Sequence, residues 1–187
     1  MFFEQITRPF GYLKIKEVKG KGFYDYVLPL ILTVLTCLAI KASSFEIASS
    51  INAKLVDGFA SFVANLPGFY IAALAAVATF NSPQLEQVIN TSSHHKPYIK
   101  TNFINENKQP DTKNTILRRR HYLCYLFAFL TANSFVLVLL NKLSVLIPSN
   151  LVFLIWLYLI AFFFLLWQLV VVTFCGLYYL AERLHVE

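Results

Sequence analysis

The chain has 187 residues, is 57% hydrophobic and carries 16 Lys and Arg against 10 Asp and Glu, for a formal net charge of +6. An apolar excess gathered into long runs excludes an ordinary soluble domain. The basic excess is accounted for by membrane topology, as set out below, so no direct contact with nucleic acid is expected.

Residues 1–22 interleave Phe2, Phe3, Ile6, Phe10, Tyr12, Leu13 and Ile15 with Lys and Arg. Aromatic and basic residues together suit the headgroup region, so the segment reads as an interfacial anchor. Pro9 and Gly11 interrupt any single continuous helix. No apolar core followed by a small-residue cleavage site is present, so no cleavable signal peptide is expected.

Four apolar runs follow, and they predict membrane spans at about 24–43, 55–80, 117–140 and 151–180, within one membrane domain covering 1–187. A helix needs about 20 apolar residues to cross ~30 Å of hydrocarbon. The first run is short and reaches through Lys41–Ser44 by snorkelling. The last has 30 residues; at ~1.5 Å each it is longer than the bilayer and must tilt or project. No run carries Asp, Glu, Lys or Arg away from its ends. The fold class is therefore all-α and polytopic. Cys37, Cys124 and Cys175 all fall inside runs and read as small apolar residues. Their spacing supports no disulfide, metal or redox centre, and no cofactor is indicated. Between the first two runs, Glu46, Lys54 and Asp57 mark an outer boundary.

The second run places a small residue at every fourth position: Ala60, Ala64, Gly68, Ala72 and Ala76. Positions i and i+4 share a helix face, and a face without bulk lets another backbone approach closely. The stripe predicts a helix-packing surface, toward the same chain or another copy. Phe59, Phe62 and Tyr70 fall off it. Pro67 within Asn65-Leu66-Pro67-Gly68 predicts a kink that frees the Val63 carbonyl. Asn65 is placed to satisfy that group, to bond a neighbouring helix or to face a ligand. Asn133 and Gln168 are the other amides deep in the runs, expected to bond across helices.

Residues 81–116 form the one sizeable polar segment. Ser82-Pro83 predicts a short helix start, with Leu85, Val88 and Ile89 on one face as an apolar anchor for a partner. From Thr91 to Asn114 the chain is rich in Asn, Lys, Ser and Thr and reads as loop. Lys96, Lys100 and Lys108 would steer an acidic soluble protein. Arg118, Arg119 and Arg120 stand where the third run begins and are suited to anionic lipid headgroups. The fourth run is packed with large residues, among them Phe153, Trp156, Phe162, Phe163 and Trp167. That bulk fits either the small-residue stripe or lipid.

Thirteen of the sixteen Lys and Arg lie before the first run, between the second and third, or after the fourth. The positive-inside rule then puts both termini and residues 81–116 in the cytoplasm, and the protein in a cell membrane as a multi-pass chain.

No catalytic motif is present, so an enzyme is not expected. A coupled transporter is disfavoured, because such proteins keep an ionisable group within the membrane. Two functions remain. One is an oligomeric, non-enzymatic membrane subunit that recruits a soluble cytosolic partner; the other is a small oligomeric channel. The four-span plan and the segment NLPGFYIAALAA, Asn65–Ala76, resemble small bacterial inner-membrane proteins of anti-phage loci, such as the family of Kiwa membrane subunits (KwaA). That resemblance implies pairing with a soluble cytosolic subunit and a role in antiviral defence. It carries over no individual functional residue.

The orientation is open to direct measurement. In a cysteine-free background, a membrane-impermeant thiol reagent should label Ser149→Cys from outside the cell. Ser93→Cys should react only after lysis. External labelling at position 93 reverses the topology.

Overall fold

In lipid no water is available to bond free peptide groups, so long apolar runs must close their hydrogen bonds internally as helices. The computed structural model of the protein contains four helices long and apolar enough to cross a membrane: Phe23–Ala42, Val56–Thr79, Arg119–Leu146 and Val152–Leu180. The structure describes residues 7–15, 18, 20–42, 54–89, 98–104, 110–148 and 150–183. Glu46, Ser93, His94, His95, Lys96, Lys108 and Ser149 lie outside the described residues.

The third and fourth spans form the central pair, and each outer span leans on a different member of it. The first packs on the fourth, the second on the third. Burial follows this order. In the most apolar stretch of the fourth span 56% of residues are buried, against 17% in the first. The first span leaves Leu30, Ile31, Val34, Leu35 and Leu38 exposed, as a lipid-facing helix must. The core between the central helices is aromatic and aliphatic, with Phe129, Leu130, Leu137, Leu159, Phe162 and Phe163 all buried. Gly176 faces the third span so closely that a Cβ there would sit 3.0 Å from Leu126 Cδ2.

The second span breaks at Asn65, between helices Lys54–Ala64 and Leu66–Thr79. The expected kink is there, but Asn65 acts on a different carbonyl from Val63. The Asn65 N–H bonds Phe62 O at 3.2 Å, which frees the Ser61 carbonyl. The Asn65 side chain then donates to Ser61 O at 3.0 Å. The amide side chain thus replaces the helix bond that its own backbone gave up.

Within the chain, the packing face of this span is not the small-residue stripe. The buried positions Val56, Ala60, Val63, Pro67, Tyr70 and Val77, with the half-buried Leu74, alternate by four and three residues. That is the seam of a heptad. Ala60 belongs to both sets and Ala76 is half-buried, while Ala64, Gly68 and Ala72 face outward. Nothing lies within 4 Å of a Cβ placed on Gly68. Within the chain, larger residues win because Val and Tyr fill the space beside the third span, and stripe residues would leave it empty. The bulky fourth span accordingly packs on the first and third spans, not on the stripe.

Outside the spans, the segment read as loop contains a two-stranded antiparallel hairpin. Tyr98–Ile104 (β1) pairs with Pro110–Ile116 (β2), from Tyr98 opposite Ile116 to Ile104 opposite Pro110. A polar composition without a hydrophobic face concealed it, because a hairpin is closed by local backbone pairing and not by a core. The short helix before it is confined to Pro83–Glu86. Val88 is extended and bridges Arg118, so Leu85, Val88 and Ile89 do not share a helical face.

Candidate functional site: a buried ion pair under an N-terminal strap

The first span begins with a buried charge. Asp25 is 0% exposed and lies on the π-helical turn Phe23–Val27. Asp25 stands at the end of its run, as expected of an ionisable residue there, but it is buried. Asp25 sits one helical turn after Lys21, and at i, i+4 the two side chains meet on one face. Lys21 Nζ bonds Asp25 Oδ2, and Lys21 itself is 6% exposed. A buried carboxylate is tolerated only when its charge is paired and its remaining lone pairs are bonded.

The second partner comes from the N-terminal segment, which forms a 3-10 helix over Arg8–Lys14. Pro9 begins it, in agreement with a break from any longer helix. This strap folds onto the third span. Tyr12, 0% exposed, stacks on Phe129 with centroids 5.2 Å apart, and Phe10 meets the same ring edge-on at 6.1 Å. The Tyr12 hydroxyl donates to Asp25 Oδ1 at 3.0 Å. Burial first, then Tyr122 and the Asp25 charge, push that hydroxyl well above its ordinary range, so it stays protonated and remains a donor. Lys21 Nζ also lies 4.1 Å from the centroid of the Tyr12 ring, in cation–π range. The chain returns from the strap to the span through Gly20, at φ +78. No side chain adopts that conformation readily.

The fourth span closes the site. A π turn leaves a backbone carbonyl poorly served by its own helix. Gln168 Nε2 donates to Asp25 O at 2.9 Å, with Gln168 3% exposed. One acidic residue thus gathers the strap, the first span and the fourth. Its chemistry is that of a structural tie, with each carboxylate oxygen and the backbone carbonyl meeting a protein donor.

Two further polar clusters frame the bundle. At its opposite end, Asn141 Nδ2 donates to Asp57 Oδ1 at 3.2 Å and Tyr158 donates to Asn141 Oδ1 at 3.5 Å. Ser144 donates to Asn141 O at 2.6 Å. Asp57, taken as a boundary marker, is thereby bound to the third span. At the strap end, Arg120 donates to Ala78 O and Phe80 O at 2.9 and 2.8 Å, covering the carbonyls that end the second span. Its Nε lies 2.8 Å from Glu86 Oε1, within charge-pairing distance but misaligned for a hydrogen bond. Arg118 donates to Glu86 Oε2 at 2.6 Å. That bond, first of all, holds the Glu86 carboxyl below the ordinary range. The clasp is therefore present at neutral pH and is lost only as pH falls through that lowered value.

The residues singled out from sequence distribute as follows. Asn133 Nδ2 donates to Leu165 O at 3.2 Å, joining the central pair, and Gln168 joins the Asp25 site. Arg118 and Arg120 are engaged by Glu86 and helix-end carbonyls in preference to standing free for lipid, and Arg119 lies at the start of the third span. Leu85 and Ile89 are buried, 3% and 9% exposed, so they hold residues 81–89 against the bundle and offer no free anchor. Val88 is exposed, and Lys100 lies on β1. Sequence reasoning passed over Tyr12, Lys21 and Asp25. The available signal was a Lys and an Asp one turn apart at the membrane entry.

No known protein family, curated protein or solved structure matches the chain.

Removing one member of the pair strands a buried charge. Asp25→Leu should destabilise the protein by about 3–5 kcal/mol in equilibrium unfolding from mixed micelles. The double variant Lys21→Met, Asp25→Leu should recover most of that loss. Equal losses in single and double variants would mean that the charge pair itself contributes nothing.

Proposed function

We propose that the protein is a non-enzymatic, oligomeric subunit of a bacterial inner membrane, with both termini and residues 81–116 in the cytoplasm, and that it recruits a soluble cytosolic protein through the segment between its second and third spans. The observation that carries this reading is the hairpin Tyr98–Ile116 and the way it is mounted. Its base is held by the Val88–Arg118 bridge, by Arg119 N to Gln87 O at 3.0 Å and by the Glu86–Arg118 ion pair. A two-stranded hairpin is marginal alone. Mounted on a membrane bundle, it presents unpaired strand edges for an extended segment of a partner. Lys100 and Lys113 within its strands, against Asp111, favour an acidic partner. This replaces the Leu85–Ile89 anchor, two of whose three residues are buried. The resemblance to anti-phage membrane subunits supplies the setting, antiviral defence.

Self-association is supported by the second span. Ser61, Ala64, Asn65, Gly68 and Ala72 are all exposed along it, and two of them bring polar groups to mid-membrane depth. Lipid satisfies no polar group, whereas a second copy brings donors, acceptors and close backbone contact.

Two measurements test these parts. Replacing residues 98–116 with a Gly/Ser linker of equal length should leave insertion intact, since Arg118–Arg120 remain, and should abolish co-purification of the soluble partner. A partner retained at full yield places recruitment elsewhere. Ion flux from liposomes holding the purified protein would instead favour the channel reading. Separately, Gly68→Leu, at a position where an added Cβ meets no described atom within 4 Å, should reduce the mass of the detergent-extracted complex while leaving the protomer folded. An unchanged mass removes this face from the assembly.

A further inference from the structure

The first span is the least enclosed of the four, and it packs along the fourth. Two polar ties reinforce that contact: Trp167 Nε1 donates to Thr36 Oγ1 at 3.0 Å and Gln168 donates to Asp25 O. Toward the third span the links are Tyr24, which meets Tyr122 near the start of that span, and Tyr12. Tyr12 has its ring on Phe129 and its hydroxyl on Asp25. The strap that carries Tyr12 is a seven-residue 3-10 helix containing Pro9 and Gly11, with no helical stability of its own.

We propose that this strap is a releasable latch, and that its docking decides whether the first span rests on the fourth. Three features make it a switch and not a fixed joint. The Lys21–Asp25 pair is buried at the edge of the bundle, where desolvation nearly offsets attraction, so the opened state regains hydration for both ions. The π turn Phe23–Val27 holds Asp25 in a helical register that differs from its continuation, Leu28–Ala42. Relaxation of that turn to α geometry rotates Asp25 away from Tyr12, which gives the helix two discrete packings. Gly20, at φ +78 and with no atom within 4 Å of an added Cβ, is a hinge between strap and span. In the docked state the strap pins the N-terminal end of the first span. In the released state that span moves out into lipid and uncovers Trp167, which is half-buried beneath it. The latch does not depend on the recruiting function.

The test uses the full chain in nanodiscs whose lipids carry brominated acyl chains. A Trp156→Phe background leaves Trp167 as the single tryptophan. Tyr12→Phe keeps the ring on Phe129 and removes only the hydroxyl. It should raise bromine quenching of Trp167 about threefold, and speed tryptic cleavage after Lys14 about tenfold. Arg8 precedes Pro9 and is not a competing site. Gly20→Ala loses no contact but strains the docked backbone, and should shift both readouts in the same direction. Unchanged quenching and cleavage in both variants overturn the proposal. Faster cleavage with unchanged quenching overturns it as well, because the strap would then be loose without governing the first span.

Discussion

Asp25 cannot be hydrated where it lies, and the arrangement of three chain elements follows from that. A carboxylate in a water-poor site requires a cation and further donors. Lys21 supplies the charge from one turn earlier, Tyr12 supplies a hydroxyl from the strap, and Gln168 bonds the carbonyl of the same residue from the fourth span. Each partner fixes the element that bears it. The strap is consequently threaded onto the third span by Phe10 and Tyr12, and the first span is drawn to the fourth. An apolar residue at position 25 would leave four helices of the same length and hydropathy and the strap's aromatic contacts with the third span, but no polar tie between the strap and the first span.

The same scarcity of water governs the middle of the bundle. Lipid provides little hydrophobic force between helices, so association depends on packing and on bonds between spans. Two threonines are used alike. Thr173 donates to Leu169 O and therefore accepts from Tyr70 at 2.7 Å, joining the second span to the fourth. Thr36 donates to Leu32 O and accepts from Trp167, joining the first to the fourth. In both pairs a hydroxyl satisfied by its own helix becomes the acceptor for an aromatic donor next door, and no polar hydrogen is left in the hydrocarbon. The fourth span takes part in both bonds, as acceptor at Thr173 and as donor at Trp167, in keeping with its central place.

At the strap end the arginines do more than mark orientation. Arg120 covers the carbonyls that end the second span, and Glu86 joins Arg118 and Arg120 into a clasp that turns residues 81–89 back toward the third span. Surface ion pairs contribute little singly. Here their role is geometric, since they fix where the hairpin leaves the membrane. Tyr122, two residues beyond Arg120, also lies 6.0 Å from Tyr12, so clasp and strap meet on one helix turn.

Hydrophobic runs by themselves determined the number of spans and their limits to within a few residues, because length and apolarity are local quantities that the bilayer reads directly. The break at Asn65-Leu66-Pro67 was equally legible, since proline acts on its own helix. What faces what was decided only in the tertiary structure. The regular stripe from Ala60 to Ala76 gave no hint that Ala64, Gly68 and Ala72 would point outward. A helix chooses its buried face by what a neighbour can fill, and beside the third span that was Val63, Tyr70 and Val77. The hairpin escaped notice because backbone pairing leaves no periodic trace in a polar segment. The Tyr12–Lys21–Asp25 site escaped because Tyr12 is distant in the chain from the Lys21–Asp25 pair, and the three become a site only when folding excludes water from all of them.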